Sequence, residues 1–305
     1  DLQQQLLKTN VTNNSILTVG VFDGVHLGHL HLIDRLKKIA NQENCQSGIL
    51  TFTNHPAEIL NPDFKPSFIM GAEQKISALK KTNVDFVIPI IFNKTISNMT
   101  ALEFIDCLQN NLNMKGLVAG PDFAMGKNRQ TTILELETLG KQEGFITEIV
   151  GSQEIDGIPL RSTTIRKYLS SGEVKGASKV LGRNFRIRGS VIHGEKRGRQ
   201  LGYPTANIKT PINSILPQNG IYATFTYIKG EKFISATSIG TNPTFGGNNK
   251  TIETHIFNFN ENIYDLTIEV EFISRLRDEI KFTSTEDLIT QMDADILEIK
   301  RVLKP

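Results

Sequence analysis

The sequence predicts two domains: an α/β domain with a parallel, Rossmann-like sheet over residues 1–182, and an antiparallel β-barrel with a terminal helix over residues 183–305. A length of 305 residues suits about two domains of ordinary size. Up to about residue 150, short apolar runs alternate with segments of helical periodicity, which is typical of a parallel sheet wrapped by helices. After Gly182 the apolar period changes to two, as in antiparallel strands.

The first strand and helix are joined by a turn that is rich in glycine and histidine. ILTVGVF (16–22) is apolar and β-branched, as a buried strand is, and LHLIDRLKKIA (30–40) has helical spacing. The apolar helix positions are Leu32, Ile33, Leu36 and Ile39. Because a helix N-terminus after a glycine turn presents unbonded amides and a positive dipole end, residues 23–29 are predicted to bind an anion at the carboxyl edge of the sheet.

Further strands and helices of the first domain follow from the same patterns. The predicted strands are GILTF (48–52), VDFVIPI (84–90), GLVAG (116–120) and FITEIV (145–150). A helical region then runs through STTIRKYLSSG (162–172) and EVKGASKVLG (173–182). Ser162 is predicted as the N-cap of its first helix and Gly172 as the stop.

The second domain reads as strands followed by one helix. The predicted strands include GIYATFTYI (220–228), KTIETHIFNF (250–259) and TIEVEF (267–272). Ser284 and Asp287 form a capping-box pattern at the start of the last helix. Its predicted apolar face consists of Leu288, Met292, Ile296 and Ile299. These patterns predict a small barrel with a helix beside it.

Composition narrows the class of partner. Basic residues number 34 and acidic residues 32, so a net charge of +2 gives no broad field for nucleic acid or a membrane, and we expect small-molecule partners. Cys45 and Cys107 have neither disulfide-framework nor zinc-ligand spacing. The longest apolar run, residues 84–92, is far below the ~20 residues that span a bilayer, and no signal-peptide pattern is visible. We therefore expect a cytoplasmic protein.

His26 and His29 are three residues apart at the predicted helix start. Both imidazoles can face one anion there and donate hydrogen bonds to nucleotide phosphates. Two alternatives remain: Gly24 and Gly28 shape an ordinary turn beside surface histidines, or a zinc ion is bound, although no third ligand is evident nearby. The phosphate-loop signature and G-x-G-x-x-G are both absent. His31 is predicted to face solvent.

The segment VGVFDGVHLGH (19–29) resembles the H-x-G-H type nucleotidyltransferase signature of the bacterial bifunctional riboflavin kinase/FAD synthetase family. Three later segments agree in order: TFTNHP (51–56), GPDFAMGKNRQ (120–130) and RSTTIR (161–166). The resemblance spans nearly the whole first domain. It implies transfer of an adenylyl group from ATP to FMN, giving FAD and pyrophosphate.

The resemblance also implies roles for individual residues. Those implied to bind ATP and its phosphates are Gly20, Phe22, Asp23, Gly24, His26, Gly28, His29, Ser162, Thr163 and Arg166. His29 and Arg166 are implied to be catalytic, with Mg²⁺ and the helix terminus also neutralising charge. Those implied to bind the flavin are His55, Asp122 and Phe123.

This chain departs from the family pattern on the flavin side of the first domain. The departures are Thr53 and Asn54 for Asp-Pro, Ala124 and Met125 for Arg-Phe, and Gln130 for glycine. Arg129 is either a site residue or an exposed cation. None of these changes removes the histidines or Arg166.

In the second domain, RGSVIHGEKRGRQLGYPTAN (188–207) resembles the riboflavin kinase signature of the same family, with Tyr203 in place of phenylalanine. The glycines that can let the backbone approach ATP phosphates are Gly194, Gly198 and Gly202. Taken alone, such a loop is also an everyday turn. The later segments LPQNGIYATF, ATSIGTNPTF and IETHIFNFNENIYDL follow in the family's order.

Four residues of the second domain are assigned chemistry on this resemblance. Thr205 and Asn207 offer neutral oxygen ligands that suit Mg²⁺. Glu253 stands where the family has the base that activates the 5′-hydroxyl of riboflavin; the alternative is a salt-bridged barrel glutamate. Arg277 resembles an arginine near the flavin, or else forms a surface ion pair with neighbouring acidic residues.

Together these observations predict a bifunctional enzyme of flavin cofactor synthesis. Its small molecules are riboflavin, FMN, FAD, ATP, ADP and pyrophosphate, with Mg²⁺ as cofactor and no nucleic acid or membrane partner. Rival hypotheses are an enzyme that retains only one of the two activities, and a flavin-binding regulatory homologue without turnover. A tRNA-charging enzyme is a third, but the charge balance gives it no basic RNA-binding surface. The sequence leaves the oligomeric state open.

Overall fold

The computed structural model describes residues 1–7, 9, 11–61, 63–127, 130–194, 197–241 and 250–304, without the side chains of Arg197 and Arg199. The chain forms two compact units, a first unit of Asp1–Ser162 and a second unit of Thr163–Pro305. Within the described residues, no helix has both the length and the apolar character needed to cross a membrane.

The first unit alternates strands and helices. Its strands are β1 (Ser15–Gly20), β2 (Gln46–Phe52), β3 (Phe86–Ile90), β4 (Met114–Ala119), β5 (Ile146–Ile149), β6 (Glu154–Ile155) and β7 (Ile158–Pro159). Its helices are α1 (Leu2–Leu6), α2 (Leu27–Gln42), α3 (Pro56–Leu60), α4 (Ala72–Lys80), α5 (Lys94–Asn98), α6 (Ala101–Leu112) and α7 (Ile133–Glu143). The predicted alternation is confirmed.

Five of these strands form one parallel sheet in the order β3-β2-β1-β4-β5. The order reverses between β1 and β4, and ligands of such sheets bind outside the carboxyl ends of the strands at the reversal. Strand β3 starts at Phe86, two residues later than predicted. The reason is that the Asp85 carboxylate accepts bonds from the amide and hydroxyl of Ser47, both at 2.7 Å.

Apolar side chains cover both faces of the sheet. Ile16 and Leu17 are neighbours on β1, yet each lies in a different buried cluster, because successive strand residues point to opposite faces. Strand β1 is therefore a central, two-sided strand. The four apolar positions predicted on α2 all belong to the cluster that contains Ile16.

The second unit is a barrel with helices. Its strands are β8 (Phe185–Ile192), β9 (Thr205–Lys209), β10 (Gly220–Ile228), β11 (Glu231–Thr241), β12 (Lys250–Ile256) and β13 (Thr267–Arg277). Its helices are α8 (Ser162–Ser170), which begins with the last residue of the first unit, α9 (Val174–Leu181), α10 (Arg197–Gln200) and α11 (Thr285–Val302). The six strands close into an antiparallel barrel in the order β10-β11-β12-β9-β8-β13, which confirms the predicted architecture.

Two details of the barrel differ from the sequence prediction. Strand β12 ends at Ile256, so Phe257 does not continue its alternation. The buried face of β12 carries Ile252 and Thr254, and Glu253 lies half-buried on the other face. Continued alternation would place Glu253 on one face with His255, Phe257 and Phe259, which predicts an apolar setting for its carboxylate. That prediction is wrong, because β12 ends at Ile256 and its apolar residues lie on the opposite face.

The predicted ends of the helices are partly confirmed. Ser284 caps α11 by accepting a bond from the Asp287 amide at 3.1 Å. Helix α8 ends at Ser170 and is followed by Gly172 with φ +77°, as the predicted stop requires. Ser162, however, is the first residue of α8, and its hydroxyl donates to the Asp23 carbonyl at 2.9 Å.

Helices α8 and α9 fall within the second unit apart from Ser162, and α9 packs against β8 and β13. The sequence assigns residues 163–182 to the first domain instead. The functional boundary at 182 stays a prediction, and two truncations described below test it.

Candidate functional sites

The turn after β1 is conformationally strained. Phe22, Gly24 and Val25 have φ values of +51°, +85° and +40°. Positive φ is costly for Phe and Val, which carry a Cβ, so the surrounding structure must hold this turn in place. We call residues 21–29 the histidine loop, since the segment ends in the first turn of α2.

The two histidines of this loop are brought together. His26 is the N-cap of α2, and its Nδ1 accepts a hydrogen bond from the His29 amide at 3.3 Å. The two rings stack with centroids 3.6 Å apart and planes at 19°, and Phe22 meets His29 edge-on at 5.1 Å. Because His26 Nδ1 is an acceptor, its neutral ring carries the proton on Nε2.

Glycine is required beside the histidines. A Cβ on Gly28 would clash with the Leu160 carbonyl oxygen, and a Cβ on Gly20 would lie 3.0 Å from the Phe22 ring. Gly24 combines its positive φ with close packing against Ile69. The glycines therefore allow close backbone packing around the loop.

Asp23 is buried and bonded to the protein backbone. Its carboxylate accepts hydrogen bonds from the amides of Ile69 at 3.0 and 3.1 Å and of Met70 at 3.2 Å, and its carbonyl accepts from Ser162. Asp23 and Ser162, both predicted at the ATP phosphates, are thus bonded to each other and position the loop.

The pKa of His29 is lowered well below its usual value of 6.5, first by burial and then by the nearby charges of His26 and Lys75. The sequence places His29 at an exposed helix start, but the structure half-buries its ring. Its Nδ1 atom is buried and has no hydrogen-bond partner among the described residues. His29 is accordingly a neutral imidazole at pH 7.

This shift predicts a pH-dependent stability. Below pH 6.5 the unfolded chain takes up a proton that native His29 resists, so the free energy of unfolding falls as the pH falls. We expect His29→Gln to reduce this slope by up to about 1.4 kcal/mol per pH unit, a value approached about one unit below pH 6.5. Urea unfolding of both proteins between pH 5 and 7 measures it, and parallel slopes would contradict the shift.

The residues predicted to bind flavin are less closely grouped. His55 is the N-cap of α3, where its Nδ1 accepts from the Ala57 amide at 3.1 Å. Asp122 is exposed and pairs with Arg161 at 3.4 Å. Phe123 packs against a buried cluster of the first unit. Arg129 lies outside the described residues.

Structural contacts account for part of the family departures. Asn54 forms two hydrogen bonds with the Phe92 backbone, at 2.9 and 2.8 Å, and Thr53 bonds the Ile90 carbonyl at 3.3 Å. Met125 is buried and forms a β-bridge with Thr131. Ala124 is half-buried and Gln130 is exposed.

The second site lies where β9 pairs with β12. Asn207 pairs with Glu253 in the ladder, and the Thr205 hydroxyl donates to Glu253 Oε2 at 3.2 Å. A Cβ on Gly194 would clash with the Asn207 amide, and one on Gly198 would clash with the Tyr203 carbonyl oxygen. The backbone at Gly194 therefore lies directly against the Asn207 side chain.

Helix α11 contributes contacts that the sequence did not indicate. Arg277 forms a two-point ion pair with Asp295, with N–O distances of 2.6 to 3.2 Å, rather than a side-chain pair with Asp278. The Tyr203 hydroxyl donates to Asp293 at 2.7 Å. Such pairs join positions far apart in the chain, so sequence spacing carries no signal for them.

Three further residues of the predicted sites lie in the second unit. Thr163 and Arg166 lie on α8 in the second unit. Gly202, with φ +89°, forms the turn before Tyr203. Within the described residues, Glu253 forms no ion pair, so the salt-bridge alternative for it gains no support.

Two family models match this chain. Residues 8–164 match the model described as FAD synthetase, and residues 181–303 match the model described as riboflavin kinase. A Haemophilus influenzae protein named bifunctional riboflavin kinase/FMN adenylyltransferase is 38% identical over 94% of this chain and 93% of its own length. The chain belongs to the bifunctional riboflavin kinase/FMN adenylyltransferase family.

Other members of this family align over nearly their whole length. The Bacillus subtilis protein of the same name is 33% identical, covering 94% of this chain and 92% of that one. A crystal structure described as a macrolide-efflux protein from Streptococcus pneumoniae has a TM-score of 0.88 and 31% identity, covering 97% of this chain and 96% of that one. The family fold therefore extends through both units.

Proposed function

We propose that this chain phosphorylates riboflavin with ATP, giving FMN and ADP, and then transfers an adenylyl group from a second ATP to FMN, giving FAD and pyrophosphate. The observation that carries this proposal is that each of the two family matches contains one of the two candidate sites. The histidine loop lies inside the region that matches FAD synthetase. The cluster of Thr205, Asn207 and Glu253 lies inside the region that matches riboflavin kinase.

In adenylyl transfer the attacking group is the phosphate of FMN. This nucleophile is already anionic, so the site needs charge stabilisation and positioning more than a base. The stacked rings of His26 and His29 lie at the N-terminus of α2, where they are suited to stabilise charge on the departing pyrophosphate. Arg166 is assigned a phosphate contact on the R-S-T-T-I-R motif alone.

In the kinase reaction the attacking group is a primary hydroxyl, which must lose a proton. We assign Glu253 as its acceptor. The Thr205 hydroxyl donates to Oε2, which orients the carboxylate and leaves Oε1 to receive the proton from the 5′-hydroxyl. The ladder pairing with Asn207 holds the strand that carries Glu253.

Enzymes that transfer phosphoryl groups from ATP generally use a divalent metal, and we propose Mg²⁺ here. The Thr205 hydroxyl and the Asn207 amide oxygen would hold it, because these are the hard oxygen donors that Mg²⁺ prefers. The close fit of Asn207 against Gly194 holds that amide beside the backbone of Gly194. When bound, the ion would neutralise charge on the phosphates.

A time course tests the whole proposal. Purified protein is incubated with riboflavin, ATP and Mg²⁺, and the flavins are separated by chromatography. Early FMN followed by FAD is the expected result. FMN that never becomes FAD, even when FMN is supplied, would mean that only the kinase is active. Binding of riboflavin without any product would favour the regulatory homologue.

A pair of truncations tests the functional boundary. A fragment ending at Gly182 is expected to convert FMN to FAD, whereas one ending at Ser162 should not, because it lacks Thr163 and Arg166. Support comes from the riboflavin kinase match, which begins at residue 181. Chromatographic FAD assays on both folded fragments measure it. Equal activity of the shorter fragment would place the boundary at the division between the compact units instead.

We further propose a cytoplasmic location. Cys45 and Cys107 are both free thiols, which suits a reducing compartment that also supplies ATP. Fractionation of cells that express the tagged protein tests this assignment.

A further inference from the structure

A buried lysine lies beneath the histidine loop, and no sequence motif points to it. Lys75 is on α4, and only 3% of it is exposed. Its ammonium donates to the Val21 carbonyl at 2.8 Å and to the Phe52 carbonyl at 2.6 Å. Burying an ammonium is costly unless its donors are used, so this lysine requires an explanation.

The two acceptors begin the two loops that carry predicted site residues. Val21 starts the histidine loop immediately after β1, and Phe52 ends β2 just before Thr53, Asn54 and His55. These loops hold residues assigned to the ATP side and the flavin side, respectively. Lys75 therefore joins the loops of the two substrates at the carboxyl edge of the sheet.

A second set of hydrogen bonds also joins the histidine loop to the segment of α4, again with the acceptor on the loop. The Asp23 carboxylate, in the histidine loop, accepts from the amides of Ile69 and Met70, which directly precede α4. Helix α4 and the loop are thus bonded twice, once through an anion on the loop and once through a cation on the helix. Burial lowers the pKa of Lys75 to about 8, while the charge of Asp23 acts to raise it.

The histidine loop needs such external support. Phe22 and Val25 hold positive φ, a conformation that persists only where neighbouring contacts enforce it. The Thr51 hydroxyl also donates to the Val21 carbonyl, at 3.2 Å, but it lies on β2 and does not reach α4. Lys75, by contrast, bonds both loops from outside the sheet.

We propose that Lys75 is a positioning residue for adenylyl transfer, whose ammonium holds the ATP-side and flavin-side loops in register so that the two substrates meet in line. This inference rests on the adenylyltransferase function proposed above. It assigns Lys75 a role through Val21 and Phe52, and no direct contact with substrate.

The test compares Lys75→Met with Lys37→Met. Lys37 is a matched control, since its ammonium also donates to a backbone carbonyl of the first unit, that of Thr82 at 3.0 Å. We expect Lys75→Met to lower kcat for FAD formation by about 10²-fold, with KM for ATP and FMN within a few-fold, because misalignment affects the transfer step most. Riboflavin phosphorylation by the same chain should be unchanged, as should both reactions in Lys37→Met.

Two further measurements separate positioning from a general structural effect. Lys75→Arg retains the charge and the donors, so it should recover part of the lost kcat. In a His29→Ala background, Lys75→Met should lower kcat for FAD formation only a few-fold further, since the effects of residues that act together are not additive. A kcat equal to that of Lys37→Met, full additivity with His29→Ala, or equal loss of both activities would each overturn the proposal.

Should Lys75→Met fail to fold, Lys75→Arg carries the same test. A kcat for FAD formation below that of the parent, with kinase activity retained and a smaller effect in the His29→Ala background, supports positioning. Full additivity in that background overturns it. If the parent chain itself makes no FAD from FMN, the proposed adenylyltransferase function fails, and that result is distinct from every outcome above.

Discussion

Replacing Glu253 by glutamine is expected to lower riboflavin phosphorylation by about 10²- to 10⁴-fold, the contribution typical of a general base. The primary hydroxyl of riboflavin must lose a proton as it attacks, and glutamine keeps the shape of the side chain without its proton acceptor. The Thr205 hydroxyl can still donate to the amide oxygen in place of Glu253 Oε2, so the local structure should persist. Initial rates of FMN formation measure the effect.

The same variant supplies its own internal control. FAD formation from supplied FMN should proceed at the parental rate, because we propose the histidine loop as the site of that reaction. Glu269→Gln is the matched structural control, since Glu269 is a barrel glutamate in an ion pair with Arg186 at 3.4 Å. If Glu253→Gln phosphorylates riboflavin within a few-fold of the parent, Glu253 is a structural residue and another group must accept the proton.

The second large effect is expected for His29→Ala, which should lower adenylyl transfer by about 10²-fold or more, as loss of one positioned donor to developing charge typically does. The ring lies against His26 and Phe22, so its removal takes away one wall of the proposed phosphate site. Steady-state rates of FAD formation at saturating ATP and FMN measure the loss.

His31→Ala is the matched control, because His31 is exposed on the same helix two residues further along. It should leave both reactions unchanged. Riboflavin phosphorylation should also survive His29→Ala, and thermal unfolding should show a folded chain. Equal loss of both reactions in His29→Ala would indicate that the ring is needed for folding and has no specific part in adenylyl transfer.

Much of the fold could be predicted from sequence. Periodicity located the five strands of the parallel sheet to within about two residues and three of the six barrel strands to within about five, because a pleated strand and a helix bury side chains at different intervals. The errors have local causes, such as the Asp85–Ser47 bonds that delay β3. Likewise, β12 ends at Ile256, so Phe257 does not share a strand face with Glu253.

The candidate sites could likewise be predicted from sequence only in part. The strained turn at Gly24 and the close approach at Gly28 require glycine. The presence of glycine at these positions therefore indicates the local backbone conformation and packing. The partners of Arg277 and Lys75 left no such pattern. Asp295 lies 18 residues beyond Arg277, and Val21 lies 54 residues before Lys75, so only folding brings these groups together.

By itself, then, the sequence determined the two kinds of periodicity, the glycine positions and the order of the motifs, because each depends on residues close together in the chain. Only the tertiary structure decided that Lys75 is buried beneath the histidine loop and that Thr205 bonds Glu253. It also decided that residues 163–182 pack with the barrel. These outcomes depend on burial and pairing across long separations, where the free energy of a contact is set by surroundings that no local pattern encodes.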